Sequence, residues 1–338
     1  MKKADVIVVG AGPAGAACAG TLRRAGANVL LLDRHVFPRP KPCAGWLTPG
    51  VFDILGASPR DYPGLLAVFP RLHLRVGSLP ILRRGTQYAI RRSEFDAWLL
   101  QRWDLSPENH HVHKIEDDGS NYVVDGNYSS PIIVGAGGTG CPVYRAFGHV
   151  ERPRARASEV IAMEEEFPGE AKDRRCFLWF FRNGLPGYAW YLPKVGAKES
   201  WINVGIGGAR ERLATRGEKL RDHWHRFLRY LEGRNLVTIR QWHPVARNYY
   251  LRQPGDGGLS ARRATRPGRS SPGAPGAPRL YLVGDAAGLA TVDMGEGIAA
   301  AIESGQLAAK AIIAGEAYSS ASIPRFSILP RLLQNLWP

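Results

Sequence analysis

Cysteine, acidic residues and long apolar runs are all scarce in this 338-residue sequence. Four cysteines do not make a disulfide scaffold, and a reducing cytoplasm suits them. No apolar run approaches the roughly 18 residues that a membrane-spanning helix needs. Only 30 aspartates and glutamates stand against 45 lysines and arginines, a formal net charge of +15. Such an excess suits an anionic ligand or an anionic lipid surface. No helix-turn-helix, zinc-finger or RNA-recognition pattern accompanies it, so nucleic acid is not expected as a partner. Hydrophobic residues at 44% and charged residues at 22% give a globular balance. The length suggests about two domains or one large α/β unit.

Order appears first at the N-terminus. The opening MKKADVIVVGAGPAG has the lysines and apolar stretch of a signal peptide. Cleavage would remove its glycines, which form a nucleotide fingerprint, so we read it as part of the fold. ADVIVVG is β-branched and uninterrupted, the pattern of a buried strand. GPAGAACAGTLRRAG reads as an alanine-rich helix stopped by Gly26, and NVLLLD as a second strand ending at Asp33. Together they make a βαβ unit. Gly10, Gly12 and Gly15 have GxGxxG spacing: the first permits the tight turn, the second lets backbone approach a pyrophosphate, and the third lets helix and strand pack closely. The helix N-terminus offers free N–H groups to phosphates. Asp33 stands where an acid would bond the ribose hydroxyls of an adenosine. Pro13, Ala14 and Arg34 complete this candidate site.

Farther along, residues 158–206 read as a strongly β block, and ERLATRGEKLRDHWHRFLRYLEG as one long amphipathic helix. RLYLVGDAAG returns to a buried strand and turn carrying Gly284 and Asp285. DMGEGI follows, with Gly295, Glu296, Gly297 and Ile298 opening a final helix rich in small residues. Asp285 suits a polyol chain, Gly295 and Gly297 leave room for a flat ring against backbone, and the helix aims its positive end at an anionic group. GGLSARRATRPGRSSPGAPGAPR, residues 257–279, cannot pack a core and reads as a disordered insertion.

VIVVGAGPAGAACA, IRRSEFDAWL and YLVGDAAGLATVDMGEGI together resemble the FAD-dependent oxidoreductases of the glutathione-reductase-like, hydroxybenzoate-hydroxylase-like class. Within that class, KPCAGW and YAWYLPK resemble segments of the geranylgeranyl reductase family, and the likeness covers residues 4 to about 315. The resemblance implies an α/β fold: a Rossmann-like FAD-binding domain with an interleaved antiparallel β-rich substrate domain. Residues 1–60, 85–150 and 280–315 are expected in the first, 61–84 and 151–256 in the second, with 316–338 unassigned.

By the same resemblance, Gly10, Gly12, Gly15 and Asp33 hold the ADP half of FAD. Arg92 contacts its phosphate or ribityl region, Asp285 the ribityl chain, and Gly295, Glu296 and Gly297 the pyrimidine edge of the flavin. Cys43 and Ala44 lie in a loop near the flavin and beside the substrate. Three roles stay open for Cys43: proton donor, pocket lining, or packing between prolines. Tyr188, Trp190 and Pro193 line a slot for a long apolar substrate. In VGAGGTGCPVYR, Gly135, Ala136 and Gly137 stand where many enzymes of this class carry Gly-Asp-Gly. This run also satisfies GxGxxG, but no strongly helical segment follows it, so it reads as the flavin domain's own strand end. His110, His111 and His113 lack ligand partners at metal spacing and read as a solvated loop.

The implied activity is reduction of carbon–carbon double bonds in a prenyl or other long apolar substrate by hydride from reduced flavin. NAD(P)H or a small redox protein is the implied electron donor. The expected location is cytoplasmic, with peripheral membrane contact through the basic surface. Two alternatives stay open: a flavin monooxygenase or halogenase on the same fold, and a flavin-binding protein without turnover.

Overall fold

The computed structural model describes residues 1–148, 154–238, 240–253, 279–316 and 318–327. The chain forms two compact units, and it passes between them at 39/40, 95/96, 154/155 and 249/250.

The first unit holds the described residues of Met1–Arg39, Asp96–Arg154 and Tyr250–Arg331. Its centre is a five-stranded sheet in the order Leu280–Leu282, Ile132–Gly135, Val6–Val9, Val29–Asp33, Glu108–Asn109. Every pairing in it is parallel. All four residues of Val6–Val9 are buried, as a central parallel strand requires. Helix Pro13–Arg24 starts with proline in its first turn, where a missing N–H costs nothing, and ends on Arg23 and Arg24, favourable at the negative helix end. It packs against helix Ile298–Ala314 so closely that a Cβ on Gly305 would lie 2.2 Å from the Ala14 carbonyl oxygen. A small four-stranded sheet runs Lys2–Lys3, Tyr128–Ser130, Tyr122–Val124, Ile115–Asp117.

The second unit holds the described residues of Pro40–Phe95 and Ala155–Tyr249. Eight strands form one sheet: Val245–Tyr250, Glu159–Pro168, Ser200–Ala209, Gly187–Val195, Cys176–Phe180, Leu66–Val76, Leu79–Ile90, Trp46–Leu47. It is the expected antiparallel-rich unit, although Cys176–Phe180 runs parallel to Leu72–Val76. Helix Leu220–Gly233 covers one face, burying Leu220, Trp224, Phe227, Leu228 and Leu231 at helical spacing against Tyr191, Ile202, Val204 and Ile206.

Three expectations are corrected. Residues 40–60 and 85–95 lie in the β-rich unit, because Trp46–Leu47 pairs with Tyr88–Ala89, and Leu79–Ile90 pairs with Leu66–Val76. The return to the first unit starts at 250, because the Arg252 N–H donates to the Ala290 carbonyl at 2.8 Å. The helix read as continuous over 211–233 is two, Arg210–Thr215 and Leu220–Gly233, broken where Gly217 takes φ +64°.

The tail given no assignment also packs on the first unit. Asp293 accepts the N–H of Ser327 at 3.0 Å and its hydroxyl at 3.1 Å. Buried Arg252 donates to the carbonyls of Ser320 and Ile323. The insertion expected at 257–279 lies outside the described residues except at Arg279, whose Nε donates to the Pro131 carbonyl at 2.9 Å.

Candidate cofactor site

Gly10 ends the first strand with φ +109°, and a Cβ there would lie 2.5 Å from the carbonyl carbon and oxygen of Ala136. On Gly15 it would lie 1.7 Å from the Gly10 carbonyl oxygen. The turn therefore closes only without side chains at these positions. Gly12 caps helix Pro13–Arg24 with no side-chain hydrogen bond, so its backbone N–H groups are left for a ligand.

Asp33 is buried at the end of the second strand. One of its carboxylate oxygens accepts the Ala11 N–H at 2.8 Å and the other the His35 N–H at 2.9 Å. Each oxygen keeps a further lone pair, suited to a vicinal diol. Arg34, next to it, is exposed and bonds His35.

Arg39 was missed in the sequence. Its guanidinium lies 3.6 Å from where a Gly12 Cβ would be and 3.4 Å from buried Asp96. It brings a held positive charge to the glycine turn. The signal was the RPKP run after the acidic strand end, which spacing alone does not mark.

Strand Ile132–Gly135 lies in the sheet beside Val6–Val9, and the short turn Gly138–Gly140 follows it in place of a helix. The second GxGxxG is thus this sheet's own strand end, as its lack of a following helix suggested. Gly284 takes φ +59° against Ala14 and Ala301. The Asp285 carboxylate lies 3.2 Å from where a Gly297 Cβ would be. The unit thus brings the glycine turn, Ala136, Gly137, Gly284, Asp285 and Gly297 together. Arg154 ties two of these turns, donating to the Thr139 carbonyl at 2.7 Å and the Ala286 carbonyl at 2.9 Å.

At the start of helix Ile298–Ala314, one Glu296 oxygen accepts the N–H groups of Ile298 and Ala299 at 2.8 and 2.9 Å. The helix end expected to lie open to an anion therefore carries its own carboxylate, because Glu296, just before the cap Gly297, reaches forward to the first turn. Burial pushes the Glu296 carboxyl up to about 7; the two N–H bonds oppose that shift, and nearby Asp293 and Asp285 add to it.

The remaining sequence candidates lie in the β-rich unit. Cross-strand pairing puts Tyr188, Trp190, Leu192 and Lys194 on one sheet face with Asn203, Gly205, Glu164 and Glu166. Trp190 lies over Gly205, where a Cβ would come 2.0 Å from its ring, and its indole N–H donates to Asn203 at 2.7 Å. Strand alternation places Pro193 on the opposite sheet face from Tyr188 and Trp190, the face that carries Tyr191.

The Cys43 loop packs against the Trp190 face. Asn203 donates to the Cys43 carbonyl at 3.5 Å, and Gly45, at φ +72°, would bring a Cβ 2.9 Å from the Lys194 amine. The Cys43 sulfur accepts the Gly45 N–H at 3.4 Å. Ala44 is half-buried between them. Arg92 is buried at the first position of helix Arg92–Arg102, within the β-rich unit.

Lys194 has no solvent exposure and pairs with Glu166. Glu164 is buried; burial pushes its carboxyl up, and Arg247 and Lys194 oppose this. Glu164, Glu166 and Lys194 were also missed, since a charged residue in a strand ordinarily marks its solvent side.

The pieces in the first unit fit FAD: a side-chain-free turn suited to a pyrophosphate, an acceptor suited to a ribose, and the Asp285 carboxylate suited to a polyol chain. Residues 3–58 match the FAD binding domain family. The chain is an FAD-dependent oxidoreductase.

Its homologues include geranylgeranyl reductases. It is 26% identical over 361 residues to digeranylgeranylglycerophospholipid reductase 1 of Methanothermobacter thermautotrophicus, covering 99% of this chain and 83% of that protein. A shorter match, 61% over 46 residues, joins 14% of this chain to 11% of the menaquinone reductase of Mycobacterium tuberculosis. Among solved structures, a geranylgeranyl bacteriochlorophyll reductase-like protein of Thermoplasma acidophilum superposes with TM-score 0.72 at 21% identity, over 94% of this chain and 81% of that one. The flavin-dependent brominase Bmp2 shares the fold with TM-score 0.67 at 18% identity, over 94% of this chain and 81% of that one.

Proposed function

We propose that the protein reduces carbon–carbon double bonds in a prenyl or other long apolar substrate. The observation that carries this reading is likeness along nearly the whole chain to a digeranylgeranylglycerophospholipid reductase. The halogenase alternative has fold likeness alone in its favour.

FAD, when bound, supplies hydride to a carbon–carbon double bond. In the β-rich unit, Tyr188 and Trp190 offer apolar surface to an isoprenoid chain, and the Asn203 bond fixes the indole. Cys43, Tyr188, Lys194 and Glu164 are candidate proton donors at this face, and burial favours the protonated form of Glu164. Reducing equivalents come from a nicotinamide or a small redox protein.

The test starts with the visible spectrum of the purified protein. A flavin spectrum that bleaches with dithionite under anaerobic conditions is expected. The reduced protein should then turn over prenyl compounds, with a mass gain of one H2 per bond reduced. A hydroperoxide spectrum formed on adding oxygen, without alkene reduction, would favour monooxygenase or halogenase chemistry instead.

A further inference from the structure

The hairpin made by Leu66–Val76 and Leu79–Ile90 belongs to the β-rich unit, and the site described above makes no use of its outer end. Tyr62–Ser93 contains six arginines and no aspartate or glutamate. Among the described residues, no carboxylate pairs with Arg71, Arg75 or Arg84. Nearby Asp173 is engaged with Arg175 at 2.6 Å.

Large apolar side chains are exposed on the same hairpin: Val68 at 54%, Leu79 at 61% and Leu82 at 51%. Among the described residues only Met1, Val36, Val245 and Ile313 are comparable, and they are scattered along the chain. The strands join through Gly77 and Ser78, with Gly77 at φ +59°. Register sets Arg71 opposite Arg84, Arg75 opposite Pro80, and Val76 opposite Leu79. Counted back from the turn, Leu79 comes first, Arg75 stands one pair behind it, Leu82 lies opposite His73, and Arg71 and Arg84 stand farthest back, so arginines and exposed leucines are interleaved along the hairpin. The outer edge of Leu79–Gln87 has no strand partner among the described residues, since Trp46–Leu47 pairs only with Tyr88 and Ala89.

An arginine on an edge strand, as Arg84 is, often serves only to block edge-to-edge association. That role does not account for exposed Leu79 and Leu82, which would favour such association. Arginines without carboxylate partners interleaved with exposed apolar residues on one hairpin match an anionic bilayer: phosphates outside, acyl chains within.

We propose that the Leu66–Ile90 hairpin docks the protein on an anionic lipid surface, with Arg71, Arg75 and Arg84 at the phosphates and Leu79 and Leu82 entering the acyl boundary. The surface is independent of the reaction assigned above, and its test needs no turnover.

The full chain, loaded with FAD, is floated with vesicles of phosphatidylcholine plus phosphatidylglycerol and with phosphatidylcholine alone. Binding to the anionic vesicles only, weakened by salt, is expected. Replacing Arg71, Arg75 and Arg84 by serine should weaken it by about two orders of magnitude, near fivefold per arginine. Leu79→Ser with Leu82→Ser should also weaken it. A control of equal charge replaces Arg221, Arg226 and Arg229, exposed on helix Leu220–Gly233, by serine and should bind as the parent does. Melting temperature and bound flavin should stay unchanged in all three variants. The proposal is overturned if the parent does not bind, if the control loses as much binding as the hairpin variant, or if the hairpin substitutions abolish self-association but leave vesicle binding intact.

Discussion

The Asp33 carboxylate accepts the N–H of Ala11, a residue 22 positions earlier, at 2.8 Å. One side chain thus braces the glycine turn and holds the start of the following loop through His35. Asp33→Ala removes an acceptor from the N–H groups of Ala11 and His35 as well as from the nucleotide. We expect a stability loss of roughly 1–3 kcal/mol and at least a tenfold weaker hold on FAD. Thermal melting and titration of flavin fluorescence measure the two separately; unchanged FAD affinity would remove Asp33 from the site.

Gly15→Ala should be far more harmful than its size suggests. The added carbon would sit 1.7 Å from the Gly10 carbonyl oxygen and 3.1 Å from the Ala136 Cβ. Strand and helix must separate, and the purified protein should lack yellow colour. Gly26→Ala is the comparison: its Cβ would meet nothing within 4 Å, and its cost comes only from φ +86°. It should keep FAD.

Glu296 makes stability depend on pH. Its carboxyl titrates near 4.5 when unfolded and near 7 when folded. The folded state thus binds more protons between these values. This contribution to stability is full below about 4.5 and is lost as pH rises through about 7. Buried Glu164, raised as well, acts in the same direction. Glu296→Gln should flatten the fall in melting temperature across this range. An equal slope in parent and variant would show that another group is responsible.

Asp293→Ala should release the tail. It removes the acceptor for Ser327 and for the Met294 N–H at 2.9 Å. A loss of roughly 2–4 kcal/mol is expected for several buried bonds, together with earlier proteolysis after Gly315. FAD affinity should fall too, because Val292 of the same loop bonds the Arg325 carbonyl at 2.9 Å.

Cys43→Ser should keep both flavin and melting temperature, since the loop is held through the Cys43 carbonyl and Gly45. If the residue lines the pocket, KM changes more than kcat. Loss of kcat with flavin retained would instead identify the thiol as the proton donor.

Sequence by itself determined the nucleotide half of this protein. A buried strand, a glycine turn, an alanine-rich helix and an acidic strand end are local features within about 30 residues. Their geometry follows from backbone sterics and short-range hydrogen bonds, so Gly10, Gly12, Gly15 and Asp33 were legible in order. Gly284, Asp285 and Gly297 were likewise local features of the sequence; of these, Gly284 is the one whose turn requires glycine, with φ +59° against Ala14 and Ala301.

Tertiary structure decided what depends on pairing between distant segments. Residues 40–60 joined the β-rich unit through the pairing of Trp46 with Ala89, 43 positions on, and of Leu47 with Tyr88, 41 positions on. Register between Gly187–Val195 and Ser200–Ala209 put Trp190 and Lys194 on one face and Pro193 on the other. Register also set Glu164 and Glu166 of one strand on the same sheet face as buried Lys194 of another. The tail found its role only when Ser327 met Asp293, 34 positions earlier. A strand's own residues carry its alternation, but which side becomes the interior is set by the partner strand and by what covers the sheet.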